Sequence, residues 1–287
     1  MSAAREEGLF ETMKTVLRSS VNWLPLALRL RVRHIPGIAA LQRWLVERFM
    51  SGESFVHTIN AGPAAGLRVE VSLPMDKAIW AGTYEREFAS AIAAAVSAGD
   101  VCLDIGGYRG YIAGVMALAG ASRVFVFEPL PANQLALSRL CDLNPELQIE
   151  IKRSAVSDRD GSTWLEVMAD LSMGKLESSE FQANATSKGR IEIASCRIDS
   201  LIEKGELLAP NIMKIDVEGA ELEVLRGATG TLGTARPILF LEAHSASLEE
   251  ACRVELTSHG YSIQRLETEA GDDYQTRHLI ARHTHAR

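Results

Sequence analysis

The run KIDVEGAE, Lys214–Glu221, places three carboxylates within eight residues, directly after an apolar stretch that reads as a core strand. Charged side chains are rarely buried unless they are paired, so acids at a strand end either pair or face a ligand. A second run, LFLEAHS, carries Glu242 and His244 at the end of another apolar stretch. A histidine among carboxylates can take a proton from a weak nucleophile such as a hydroxyl, because its charge changes near neutral pH. His244 is the preferred general base, and Glu242 would hold it or face the acceptor. Asp216 and Glu218 would bind acceptor hydroxyls or the amino group of a cofactor. Simpler roles exist for each: His244 as a helix-cap or surface residue, Asp216 and Glu218 as supports of a turn. Three oxygen donors and one nitrogen would suit magnesium or manganese. Their spacing matches no dedicated metal motif, and no metal is assigned. Glu221 and Glu223 fall at the start of the following helix, where an acid is favoured by the helix dipole. Neither is assigned chemistry.

Side chains so far apart in sequence need a scaffold whose strand ends converge. From Val101 onward, short apolar runs alternate with helical patterns, which predicts a doubly wound α/β fold with a mostly parallel sheet. The expected strands are Val101–Ile105, Arg123–Phe127, Ile149–Ala155, Ile212–Asp216 and Pro237–Glu242. A closing hairpin, Tyr261–Glu267 with Arg277–His283, brings the sheet to seven strands. Helices are expected over 110–119, 132–143, 220–232 and 247–259. Residues 162–205 form an insertion whose polar middle, Ser172–Arg190, reads as a mobile lid over the site. In such sheets the ligand crevice lies beyond the carboxyl ends of the strands, where Asp216, Glu218, Glu242 and His244 would meet.

The first strand runs into LDIGGYRGY, with Asp104, Gly106, Gly107, Tyr108 and Gly110 at the strand-to-helix turn. The spacing D-x-G-x-x-x-G is neither a dinucleotide fingerprint nor a P-loop. Glu128 ends the next strand, 22 residues after Gly106, where a carboxylate can bind both ribose hydroxyls of a nucleoside. Asp104 could reach the polar part of the same ligand. After the third strand, SAVSDRDG offers backbone near Ala155 and the side chain of Ser157 or Asp158 to an adenine edge, or is a plain turn. A glycine turn not built for pyrophosphate favours S-adenosyl-L-methionine over NAD, although a dehydrogenase stays open. Arg109, Tyr111 and Lys214 are secondary candidates; Lys214 would project outward or pair with a nearby acid.

Taken together, WAGTYERE, LDIGGYRGY, VFVFEPLPAN, SAVSDRDGS, CRIDSL, NIMKIDVEGAELEVLRGA and PILFLEAH resemble the FkbM family of S-adenosylmethionine-dependent methyltransferases. The resemblance covers residues 79–245, and its most specific part is FEP-x-P-x-N combined with KIDVEG-x-E-x-x-x-L-x-G-A. It implies a Rossmann-like methyltransferase that acts on a hydroxyl of a small molecule, sugar, glycan or lipid-linked acceptor, often in natural-product or cell-surface glycan pathways. The chain departs from the family's G-A-N-x-G loop: Tyr108 stands at the asparagine position, where its ring would pack against the cofactor or fill part of the pocket. A silent binding protein that keeps the fold is the alternative this departure leaves open.

The 287-residue chain is 47% hydrophobic with net charge −7, enough for a large core. Residues 1–50 carry +4, from eight Lys/Arg against four Asp/Glu, which leaves −11 on the rest. Helices are expected over 6–32 and 37–50. They make a basic amphipathic segment that packs as a cap or, through residues 16–50, lies on an anionic membrane. Residues 1–75 are accordingly read as an N-terminal extension and 76–287 as the catalytic domain. The acidic main body argues against nucleic acid. No apolar run is long enough to span a membrane, and the four cysteines, 102, 141, 196 and 252, form no metal or disulfide pattern. A cytoplasmic setting follows, and the pattern admits a homo-oligomer.

Overall fold

The computed structural model describes residues 54–168, 174–176, 187–266 and 277–285, with isolated positions before 54. The chain falls into two compact units, residues 1–86 and 87–287. In the first, strands β1 (Ser54–Thr58) and β2 (Arg68–Ser72) form an antiparallel pair. Much of the basic segment 16–50 lies outside the described residues, but positions 37, 38, 40, 41, 44, 45 and 48 are helical, within the helix expected over 37–50.

The second unit is built on strands β3 (Val101–Ile105), β4 (Arg123–Phe127), β5 (Ile149–Lys152), β10 (Ile212–Ile215), β11 (Ile238–Ala243), β12 (Tyr261–Arg265) and β13 (Arg277–His283). They make one seven-stranded sheet in the order β12-β13-β11-β10-β3-β4-β5. Only β13 runs against its neighbours. This is the Rossmann-like α/β architecture expected from strand–helix alternation. The inner strands are buried along nearly their whole length because helices cover the sheet. Leu103, Ile105, Met213, Ile215, Leu239 and Leu241 join one core cluster with residues of the covering helices.

After β3 the chain moves outward through β4 and β5, then crosses back to place β10 on the other side of β3. The reversal opens a crevice beyond the carboxyl ends of β3 and β10, where open α/β sheets bind ligands. The adjoining β11 puts a third strand end beside it.

Three expected elements differ. The strand over Ile149–Ala155 stops at Lys152, and β6 (Ala155–Val156) pairs with a separate four-stranded sheet. That sheet contains β7 (Gly161–Met168), β8 (Gly174–Leu176) and β9 (Ser187–Cys196). The polar middle of the insertion is thus partly strand: β9 pairs with β7 from Ser187 onward, and residues 177–186 lie outside the described residues. The helix over 220–232 is two helices, Glu221–Arg226 and Thr229–Thr234. Asp199 of the CRIDSL run meets the start of the second helix. Its carboxylate accepts from the backbone of Gly230 and Thr231 and so caps the second helix. Gly227 at the junction lies so close to the Ser157 carbonyl that a Cβ would fall 2.0 Å from it.

Candidate active site

The backbone leaves β10 at Ile215 and turns through Asp216–Ala220 before the next helix. Glu218 takes a left-handed conformation here, φ 54°, which is uncommon for a residue with a side chain. Glu221 opens the helix as expected, but its side chain faces inward and is fully buried. One oxygen, Oε1, accepts from the amides of Val217 (3.3 Å) and Gly219 (3.1 Å). The same oxygen lies 2.8 Å from Nδ1 of His244, which follows β11.

The imidazole therefore presents Nε2 to the remaining acids. Nε2 lies 3.4 Å from Glu218 Oε2, 3.6 Å from Asp216 Oδ1 and 3.8 Å from Glu242 Oε1. The structure thus brings together Asp216, Glu218, Glu242 and His244, and adds Glu221. Burial disfavours a charged ring, but the Glu221 hydrogen bond and the charges of Asp216, Glu221 and Glu218 override it and raise His244 to about 9. At neutral pH the ring is an imidazolium. Burial pushes Glu218 up to about 7; the His244 charge opposes this, and Asp216, Glu242 and Glu221 reinforce it.

Two further groups hold the cluster from behind. Lys214 does not project outward: it is buried, donates to the Gly106 carbonyl at 2.7 Å, and lies 3.2 Å from Asp104 and 3.3 Å from Asp216. This is the pairing alternative of the two sequence readings. His278, on β13 directly opposite Glu242, places Nε2 3.1 Å from Glu242 Oε2 and stacks on Phe88. No sequence signal pointed to His278, because its partner is fixed only by the register of the reversed strand.

Donor atoms of Asp216, Glu242 and His244 lie within 4.8 Å of one another, a spacing that a divalent ion could span. The same three groups, with Glu218, can equally exchange protons among themselves.

The glycine turn has its own logic. A Cβ on Gly106 would fall 1.7 Å from the Asp216 carbonyl oxygen, and one on Gly107 2.0 Å from Val126. Gly110, at φ 85°, packs against Leu137. These glycines let the turn seat against its own protein, in particular against the turn carrying Asp216. Tyr108, the departure from the family loop, sits at φ 49°. Its amide donates to Glu128 Oε2 at 2.9 Å, while Oε1 of Glu128 accepts from Leu130 at 2.8 Å. Asn133 of the FEP-x-P-x-N run donates as well; burial nonetheless raises Glu128 to about 7.

Asp104 is fully buried beside Lys214, and burial raises its pKa despite that cation. It braces the turn and offers no exposed surface to a ligand. Ala155 and Ser157 lie at the second sheet. Ser157 gives its amide to Cys196 and its hydroxyl to Asp158, so both polar groups have protein partners.

The protein is thus an α/β fold whose mostly parallel strands end in a glycine turn, an acid after the next strand and an acid–histidine cluster. Residues 104–273 match the methyltransferase FkbM domain, and the chain belongs to that family. The family's methyl donor is S-adenosyl-L-methionine. The chain is similar to the hexuronic acid methyltransferase AglP of Haloferax volcanii, 34% identical over 150 residues, which are 51% of this chain and 56% of that protein. It thus spans just over half of that relative's length. Among solved structures it is similar to a methyltransferase FkbM from Methylobacillus flagellatus (TM-score 0.49, 19% identity, 64% of this chain and 43% of that one). Another is TYW2 of M. jannaschii in complex with AdoMet (TM-score 0.46, 12% identity, 81% and 87%). Among the described residues, no helix is long and apolar enough to cross a membrane.

Glu128 tests whether the residues fit the cofactor. Its oxygens accept the amides of Tyr108 and Leu130 and the side chain of Asn133, which leaves about one of four acceptor sites for a ribose hydroxyl. That donor chemistry matches a ribose, and Glu128 with the adjoining turn 106–110 would hold it. When bound, S-adenosyl-L-methionine supplies a methyl carbon open to displacement.

Proposed function

We propose that the chain methylates a hydroxyl of a small-molecule, sugar or glycan acceptor, with the strand-end cluster handling the hydroxyl proton. The observation that carries this reading is His244 Nε2 within 3.8 Å of three carboxylates from two adjacent strand ends. A hydroxyl is a poor nucleophile until it shares its proton, and a base works best with a pKa near the working pH. Glu218, raised to about 7, meets that condition and retains some exposure. His244 already carries its proton at that pH, so we assign it the role of counter-charge and Glu218 that of base. Asp216 and Glu242 accept hydrogen bonds from neighbouring acceptor hydroxyls, and Asp216 is close enough to the turn 106–110 to orient the cofactor's methionine end. The sugar-acid acceptor in the relative's name supports a sugar here, and the basic segment 16–50 supports a lipid-linked form of it.

Calorimetric titration with S-adenosyl-L-methionine, then a screen of sugar and polyol acceptors with radiolabelled methyl donor, tests the proposal. Saturable cofactor binding and label transfer to a neutral hydroxyl are expected. Folded protein that binds no cofactor overturns it.

A further inference from the structure

We infer that Glu221 is a positioning residue for methyl transfer: one buried carboxylate oxygen fixes both the His244 ring and the turn that presents Glu218. The inference rests on the function proposed above. Its basis is the three contacts converging on Oε1. Val217 N and Gly219 N belong to the peptide units before Val217 and after Glu218, so accepting both pins the turn at two points around Glu218, which sits at φ 54°. The third contact is His244 Nδ1 at 2.8 Å.

A ring nitrogen bound to a carboxylate keeps its hydrogen there, which fixes the tautomer and the ring plane. The nitrogen left to exchange a proton is Nε2, and it faces Glu218, Asp216 and Glu242. Without Glu221 the ring could turn about its χ2 axis, and two amides of the Glu218 turn would lose their acceptor. The groups facing the ring are these four acids. Lys214 lies behind Asp216 and His278 behind Glu242. Glu221 is fully buried and is not positioned to contact substrate, so its influence passes through its neighbours.

The variant E221Q is nearly isosteric. Its amide oxygen can take the place of Oε1 and keep all three contacts, but it brings no negative charge to hold a proton on the ring. The test is a histidine-ring NMR titration of labelled full-length protein without acceptor, followed by steady-state kinetics across pH. In E221Q the His244 titration is expected to move about one unit lower, because the ring loses a charged partner. Turnover is expected to fall roughly 10- to 100-fold, the usual effect of losing an orienting partner, with S-adenosyl-L-methionine affinity unchanged. If E221Q unfolds, E221D is the substitute, because it shortens the reach to Nδ1 while keeping the charge. Recovery of the parent pH profile in E221D without recovery of rate is then expected. An unchanged ring titration in the variant overturns the inference, as does unchanged turnover in a variant whose ring has moved. Failure of the parent protein to transfer methyl overturns the proposed function instead, and the NMR result separates the two.

Discussion

The amide of Tyr108 donates to Oε2 of Glu128 across 2.9 Å, so the acid ending β4 holds the turn that follows β3. The proposed ribose acceptor is built into the glycine turn before any ligand arrives. Glu128→Gln leaves one oxygen to serve two amides and the ribose. S-adenosyl-L-methionine affinity measured by calorimetry is expected to drop roughly 10- to 100-fold, equivalent to the loss of one or two hydrogen bonds to a charged group. Unchanged affinity would count against the ribose role.

Tyr108 holds its left-handed backbone at a cost that asparagine bears more easily. Tyr108→Asn is expected to raise stability by about 1 kcal/mol, or roughly 2–4 °C in thermal melting. A lower melting temperature would show that the ring contributes more by packing than the backbone loses.

Lys214 is the buried cation between Asp104 and Asp216. Lys214→Met leaves two carboxylates facing each other without it. A loss of about 3–5 kcal/mol is expected in denaturant unfolding, the usual cost of stranding a buried charge. A change below 1 kcal/mol would mean that the acids are neutralised in another way.

Turnover should depend on pH with a definite sign. Glu218 accepts a proton only when ionised, so the rate is expected to rise as pH passes about 7. It is expected to fall above about 9, where His244 loses its charge and no longer offsets the surrounding acids. A rate that climbs through 9 and then levels off would return the role of base to His244. Initial rates from pH 5.5 to 10.5 at saturating substrates decide between them.

The frame of the molecule was legible because the sheet strands are short apolar runs bounded by turn residues. Val101–Ile105 and Arg123–Phe127 emerge with the expected limits. Where a boundary depended on a distant partner it was not legible: Ala155 and Val156 left the main sheet to pair with Ser195 and Cys196. The site follows the same rule. Asp216, Glu218, Glu242 and His244 could be placed at strand ends because the topology of a parallel sheet gathers those ends. Their protonation could not, since the His244 ring is raised by Glu221, Asp216 and Glu218, whose distances no sequence states. Glu221 read as an ordinary first-turn acid because nothing local shows that its side chain turns inward, and Lys214 hid behind the alternation of its strand.

Gly106 is usually read as leaving room for a ligand, yet the space it leaves is taken by the carbonyl of Asp216. The two turns are shaped to each other, so the protein would need Gly106 for folding whether or not a cofactor binds. That glycine therefore reports on folding, and chemistry is to be sought in Glu218 and His244.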